Sequence, residues 1–125
     1  MAGHRTILIV EDELPQLVLL QQMLLSAGYH VLDAKDGVEA TATYWRRRKE
    51  IDLVVCDMAL PKRGGWSVYL SLKEMNPRVK MILASGYLDP KIKHEMVEHG
   101  VEDFVAKPYA PETLLATIER ALHHQ

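Results

Sequence analysis

Five short apolar runs punctuate the chain, and most of them end abruptly in a polar or charged residue. Thr6 to Val10 runs into Glu11-Asp12-Glu13, and Leu53-Val54-Val55-Cys56 ends in Asp57. Met81-Ile82-Leu83 leads to Ser85-Gly86, and Asp103 to Ala106 leads to Lys107-Pro108. Short, nearly continuous and rich in β-branched residues, these runs suit strands buried on both faces of a parallel sheet. With Tyr29 to Ala34 added, strands are predicted at about 6–10, 29–34, 52–56, 80–84 and 103–106.

Helical spacing fills the intervals. Pro15 fits a first turn and Gly28 a helix end, and Gln16 to Ala27 carries no charge. Leu17, Leu20 and Leu24 form the expected inward stripe of this helix. Leu19 and Met23 project to roughly the opposite side, with Val18 and Leu25 between. Val38 to about Glu50 predicts a second helix with Val38, Ala42 and Trp45 inward. Its end, Arg46-Arg47-Arg48-Lys49, complements the helix dipole and reads as a solvated basic terminus rather than a nucleic-acid patch. Trp66 to Met75 forms a third helix, stopped by Asn76-Pro77. Asp89-Pro90 caps a fourth, closed by Gly100, and Pro111 opens a fifth through Leu114, Leu115, Ile118 and Leu122. Strands alternating with helices specify an α/β open sheet, whose sites lie at the carboxyl ends of its strands.

Composition narrows the classes. A length of 125 residues suits one domain spanning 1–125, and 48% hydrophobic with 26% charged residues is ordinary for a globular protein. A net charge of −2 argues against a nucleic-acid surface spread over the domain. The single cysteine rules out an intrachain disulfide and fits a reducing cytoplasm. No apolar run reaches the roughly 18 residues of a membrane span, and the amino terminus does not read as a signal peptide. Cys56 points away from Asp57 by strand alternation and reads as a small core residue. The six histidines are scattered and suggest no ligand set.

Taken together, the strand ends carry chemistry that none carries alone. Glu11 and Asp12 follow the first strand, Asp57 the third, Ser85 the fourth and Lys107 the fifth. In a parallel sheet these groups converge on one rim. Neighbouring carboxylates repel and raise one another's pKa; a divalent cation relieves this, and hard oxygen donors favour Mg²⁺. A hydroxyl and an ammonium facing the metal suit an incoming phosphoryl group.

Val10-Glu11-Asp12-Glu13, Asp57 with Leu60-Pro61 and Gly65, Ala84-Ser85-Gly86 and Asp103-Phe104-Val105-Ala106-Lys107-Pro108 resemble, as a set, the receiver domain of two-component response regulators. The resemblance covers nearly the whole chain. It implies a flavodoxin-like fold with strand order 2-1-3-4-5 and a phosphoryl group passed to Asp57 from a histidine kinase or histidine phosphotransfer domain. It further implies Mg²⁺ (or Mn²⁺) held by Asp12, by Glu11 through water, by Asp57 and by the Ala59 carbonyl. Lys107 and Ser85 would contact the phosphoryl oxygens, and Ser85 with Phe104 would form the switch. Ala59 and Tyr87 occupy the positions that flank an attacking water, so they are expected to control dephosphorylation.

Some positions depart from the pattern. Arg63 and Gly64 replace the usual loop residues, Ala110 stands where a capping side chain is usual, and Thr117 replaces an arginine typical of dimerising DNA-binding regulators. A monomer or weak homodimer is therefore expected, with neither nucleic acid nor membrane bound by this domain. The expected role is a signalling phosphoacceptor rather than a metabolic enzyme. A stand-alone regulator and the receiver of a hybrid histidine kinase both fit, and Ser85-Gly86-Tyr87 resembles the latter. A phosphorylation-independent pseudo-receiver is disfavoured because all five polar site residues are present. An aspartate-nucleophile phosphohydrolase of the haloacid dehalogenase kind is disfavoured by Ala59, which stands where a second acid is needed.

Overall fold

In a computed structural model, residues 4–59 and 64–124 are described. The element order is β1 (Thr6–Val10), α1 (Leu14–Ser26), β2 (His30–Ala34), α2 (Gly37–Arg47), β3 (Ile51–Asp57), α3 (Gly65–Met75), β4 (Met81–Ser85), α4 (Pro90–Glu98), β5 (Asp103–Ala106) and α5 (Pro111–His123). All strand pairs are parallel, in the order β2-β1-β3-β4-β5. The expected flavodoxin-like topology is therefore present, with strand limits within a residue of those read from the sequence.

Period-two alternation divides the interior into two cores. Ile7, Ile9, Leu53, Val55, Ile82 and Ala84 meet Leu20 and Leu24 of α1 and Leu114 and Ile118 of α5. On the opposite face, Leu8, Val10, Val54, Cys56, Met81 and Leu83 meet α2, α3 and Met96 of α4. Cys56 is buried in that second core, and burial pushes its thiol pKa up, so it packs as a small apolar residue. Asp57, one residue on, ends β3 on the other side of the sheet.

The phase of α2 differs from expectation. Ala40, Thr43 and Tyr44 are buried, whereas Val38 and Trp45 are 55% and 54% exposed and Ala42 also faces solvent. Two interactions set this rotation. The Asp36 carboxylate caps the helix by accepting the Glu39 N–H at 2.8 Å. The Tyr44 ring then enters the core, and Asn76 donates to its hydroxyl at 3.0 Å, so a polar tip is satisfied at depth. Trp45 is left outside, stacked under the Arg48 guanidinium at 3.9 Å. The helix also stops at Arg47, where Glu50 turns back to pair with it.

On α1, Met23 is half-buried against the core rather than on the outer side, its unbranched chain reaching around the helix, and Leu17 is only half-buried. Leu14, Val18, Leu19 and Leu25 are exposed. Gln21 of the same helix donates to Asp33 of β2 at 2.8 Å, and Arg120 of α5 donates to Asp103 of β5 at 3.2 Å. Ala110 provides no side-chain cap to α5, and Thr117 is buried with its hydroxyl donating to the Thr113 carbonyl.

Lightly anchored α4 buries only Met96. Its carboxyl end is gripped from α3, because Tyr69 Oη donates to the His99 carbonyl at 3.2 Å and Lys73 Nζ donates to the same oxygen. Gly100 follows with φ +110°, and a Cβ there would lie 2.6 Å from the Tyr69 hydroxyl, so both conformation and space require glycine.

Gly65 opens α3 where β3 leaves the sheet, and its N–H donates to the Met58 carbonyl at 3.0 Å. A Cβ at Gly65 would sit 2.7 Å from the Asp57 carbonyl oxygen and 3.0 Å from Met58 Cα. Gly65→Ala therefore forces backbone apart beside the rim and is expected to lower stability by about 1–3 kcal/mol. Urea denaturation tests this; an unchanged midpoint would show that the loop yields freely.

Candidate functional site at the strand ends

Glu11 is the first residue beyond β1, yet its backbone stays bound to the sheet, its N–H donating to the Ala34 carbonyl at 3.0 Å. This holds the carboxylate inward, at 1% exposure. One of its oxygens, Oε2, accepts the Glu13 N–H at 3.2 Å. Asp12 is exposed beside it. Asp57 is the last residue of β3, opposite Ala84 of β4, and the Met58 N–H continues that ladder to the Ala84 carbonyl. Its Oδ1 accepts the Ala59 N–H at 3.0 Å, which fixes the carboxylate against its own turn.

Lys107 arrives from the end of β5, tied to the sheet by its N–H donating to the Ser85 carbonyl at 2.9 Å. Its ammonium donates to Asp57 Oδ2 at 3.0 Å and to Glu11 Oε1 at 3.3 Å, joining three strand ends through one charge. The bond between Lys107 and Pro108 is cis. Carboxylate oxygens of Glu11, Asp12 and Asp57 all lie within 4.8 Å of one another.

The electrostatics follow from burial and charge count. Desolvation holds the Glu11 carboxyl above its ordinary pKa; the Glu13 N–H and Lys107 oppose this, and the Asp57 charge adds to it. Burial pulls the Lys107 ammonium down, but the hydrogen bond and charge of Asp57, with those of Glu11, outweigh it and hold the pKa above the usual value. Three carboxylates against one ammonium leave an excess of two negative charges in a cluster of hard oxygen donors. A divalent ion of the Mg²⁺ type matches that donor set and that excess.

Other expected residues stand apart from the carboxylates. The Ser85 hydroxyl donates to the Tyr87 carbonyl at 2.7 Å and accepts the Tyr87 N–H at 3.2 Å, so it is engaged in its own loop. Tyr87 is 80% exposed and Ala59 is also at the surface. Phe104 is half-buried, with the Lys93 ammonium 5.5 Å over its ring. Ser85, Tyr87, Leu88, Lys93 and Phe104 line a hollow of about 220 Å³ beside the rim. Larger hollows, of about 490 and 520 Å³, lie around Glu102 and His124 at the opposite end of the sheet, away from this chemistry. Leu60, Pro61 and Arg63, singled out in the sequence, lie outside the described residues.

One neighbour was not anticipated. Tyr109 packs against the α1–α5 core with the Lys107 ammonium 5.9 Å from its ring, and burial, then Glu11 and Asp57, push its phenol pKa up. The signal available for it was an aromatic residue immediately after Lys107-Pro108.

Residues 7–119 match the family model for the response regulator receiver domain. The chain belongs to that family. It is 30% identical to the transcriptional regulatory protein ZraR of Escherichia coli strain K12 over 118 residues, 94% of this chain and 26% of ZraR. It is also 30% identical to the sensor kinase CckA of Brucella abortus strain 2308 over 125 residues, the full chain and 13% of CckA. This receiver thus spans about a quarter or less of these relatives. Among solved structures it is similar to the receiver domain of sensor histidine kinase PA1611 from Pseudomonas aeruginosa PAO1, with magnesium ion coordinated in the active site cleft. That match has a TM-score of 0.85 and 27% identity, covering 98% of this chain and 100% of the other. Among the described residues, no helix of this receiver is long and apolar enough to cross a membrane.

Removing the bridging ammonium leaves Glu11 and Asp57 facing each other without compensation. Lys107→Met is expected to destabilise the metal-free receiver by about 1–3 kcal/mol, and adding Glu11→Gln should recover part of that loss. A double-mutant cycle by urea denaturation measures the coupling; strictly additive effects would show that Lys107 and Glu11 are not coupled.

Proposed function

We propose that Asp57 is the phosphoacceptor of this receiver, taking a phosphoryl group from a phosphohistidine of a histidine kinase or histidine phosphotransfer domain. The observation that carries this reading is the Lys107 bridge between Asp57 and Glu11, with Asp12 alongside, at the carboxyl ends of the strands. In the transfer, an Asp57 carboxylate oxygen forms a bond to phosphorus while the bond from phosphorus to the donor's imidazole nitrogen breaks. Lys107 already donates to Asp57, so its charge is in place for the phosphoryl oxygens. Ser85 would exchange its Tyr87 carbonyl for a phosphoryl oxygen, and Phe104 would respond to that movement as the second part of the switch. Asp12, Glu11, Asp57 and the Ala59 carbonyl would hold Mg²⁺ or Mn²⁺, which would supply charge neutralisation and Lewis acidity to the phosphoryl oxygens. The exposed Leu14, Val18 and Leu19 on α1 support docking of the donor's helices beside the rim.

The same features favour the receiver of a hybrid sensor histidine kinase, with a single-domain regulator as the other form. Support comes from the Ser85-Gly86-Tyr87 turn and from the likeness to the histidine kinase receiver described above. The role is that of a cytoplasmic switch that catalyses its own phosphorylation and phosphate loss, as a monomer or weak homodimer.

Incubation with acetyl phosphate and Mg²⁺ should add about 80 Da, the mass of one phosphoryl group, and Asp57→Asn or EDTA should abolish the gain. Full labelling of the variant would overturn the assignment. The lifetime of the phosphorylated state should depend on Ala59, which has no polar group to hold water, and on Tyr87, whose exposed ring is large enough to cover the site. Ala59→Asn with Tyr87→Glu should speed phosphate loss about tenfold, roughly 1.4 kcal/mol of barrier. Equal decay after donor removal would show that neither residue governs water access.

A further inference from the structure

The rotation of α2 leaves an apolar stripe facing solvent. Val38, Ala42 and Trp45 recur at i, i+4 and i+7 and are all exposed, while Ala40, Thr43 and Tyr44 hold the helix to the sheet. A helix usually turns such a stripe inward. Here Arg48 stacks on the indole and donates to the Trp45 backbone carbonyl. An exposed Trp beside an Arg has the composition of an interaction hot spot. Arg46 flanks the stripe, and Arg48 and Lys49 follow just past the helix's end at Arg47. Arg47 is paired with Glu50, but among the described residues Arg46, Arg48 and Lys49 make no salt bridge. The surface is therefore segregated along the helix axis, apolar toward its amino end and strongly basic at its carboxyl end.

We propose that this face of α2 docks an amphipathic helix of a partner protein, lying antiparallel to α2, with an acidic first turn. Antiparallel packing sets the partner's amino terminus beside Arg46, Arg48 and Lys49. Acidic residues there complement those cations and also the positive end of the partner's own dipole. Its apolar stripe then runs along Trp45, Ala42 and Val38, a contact about 10 Å long. A bilayer fits less well: it is uniform in its plane and calls for cations flanking the apolar residues around the helix, rather than gathered at one end. The face lies across the sheet from α1, so it is separate from the phosphodonor surface and does not rest on the proposed phosphotransfer.

The probe is a fluorescein-labelled, lactam-bridged helical peptide of about 15 residues, with three Glu in its first turn and Leu at i, i+4, i+7 and i+11. Fluorescence anisotropy with the full chain should show saturable, salt-sensitive binding. Trp45→Ser should weaken it about tenfold, as should Arg46→Glu combined with Lys49→Glu. Moving the Glu run to the peptide's last turn should also weaken binding about tenfold. A far-ultraviolet circular dichroism spectrum and a urea midpoint equal to wild type certify that each variant is folded. Absent binding, binding indifferent to Trp45→Ser, or equal affinity for the reversed peptide would overturn the proposal. So would Trp45-dependent binding to phosphatidylglycerol vesicles without peptide binding, which would make the face a membrane surface. Trp45-dependent self-association in sedimentation, again without peptide binding, would make the occupant a second copy and equally overturn it.

Discussion

A single half-buried ammonium is the constraint on which this rim depends. Glu11 and Asp57 are delivered to neighbouring positions by β1 and β3, and two carboxylates at that depth repel. Lys107 relieves the repulsion from β5, two strands away from β3, so its stem must cross the end of β4. Its backbone is anchored to Ser85, the last residue of the strand it crosses. The charge arrangement therefore requires that four strands each end within a residue of their neighbours. That registration is enforced by the apolar alternation below, since a one-residue slip would turn each core side chain to the wrong face.

Most of the fold was legible because strands and function coincide. Each apolar run stops where a polar group is needed, so strand ends and site residues announce one another in Val10-Glu11, Cys56-Asp57 and Ala106-Lys107. The rotation of α2 was not legible. Val38, Ala42 and Trp45 compose as good an inward stripe as Ala40 and Tyr44, and the two lie on nearly opposite sides of the helix. What decides between them is Asn76, a partner for the Tyr44 hydroxyl far along the chain, and the Asp36 cap. Periodicity cannot weigh either. Met23 was misplaced for a related reason, since a flexible thioether reaches a core that its Cα position does not face. The orientation of Ser85 escaped as well: a hydroxyl beside a turn can serve the turn or a ligand, and in this state it serves the turn.

The helices are held to different degrees. α1 and α5 bury two or more side chains each, whereas α4 buries Met96 alone and is tied at its far end by Tyr69 and Lys73 of α3. Elements with few buried contacts open at low free energy. The hollow between Tyr87, Lys93 and Phe104 lies at the loosely held amino end of that helix, so the least constrained part of the molecule adjoins its chemical rim.

The polar pairs on β2 and β5 bear on a different problem, the fate of the sheet's two open edges. An unpaired edge is a template for another chain's strand, and long, flat, hydrophobic edges aggregate. β2 carries Asp33 beneath α1, held there by Gln21, and begins at exposed His30. β5 is four residues long, opens on Asp103 bound to Arg120, and is followed by a proline that has no N–H to offer. Each edge thus carries a charged side chain and one edge is only four residues long, features that disfavour the addition of another chain's strand.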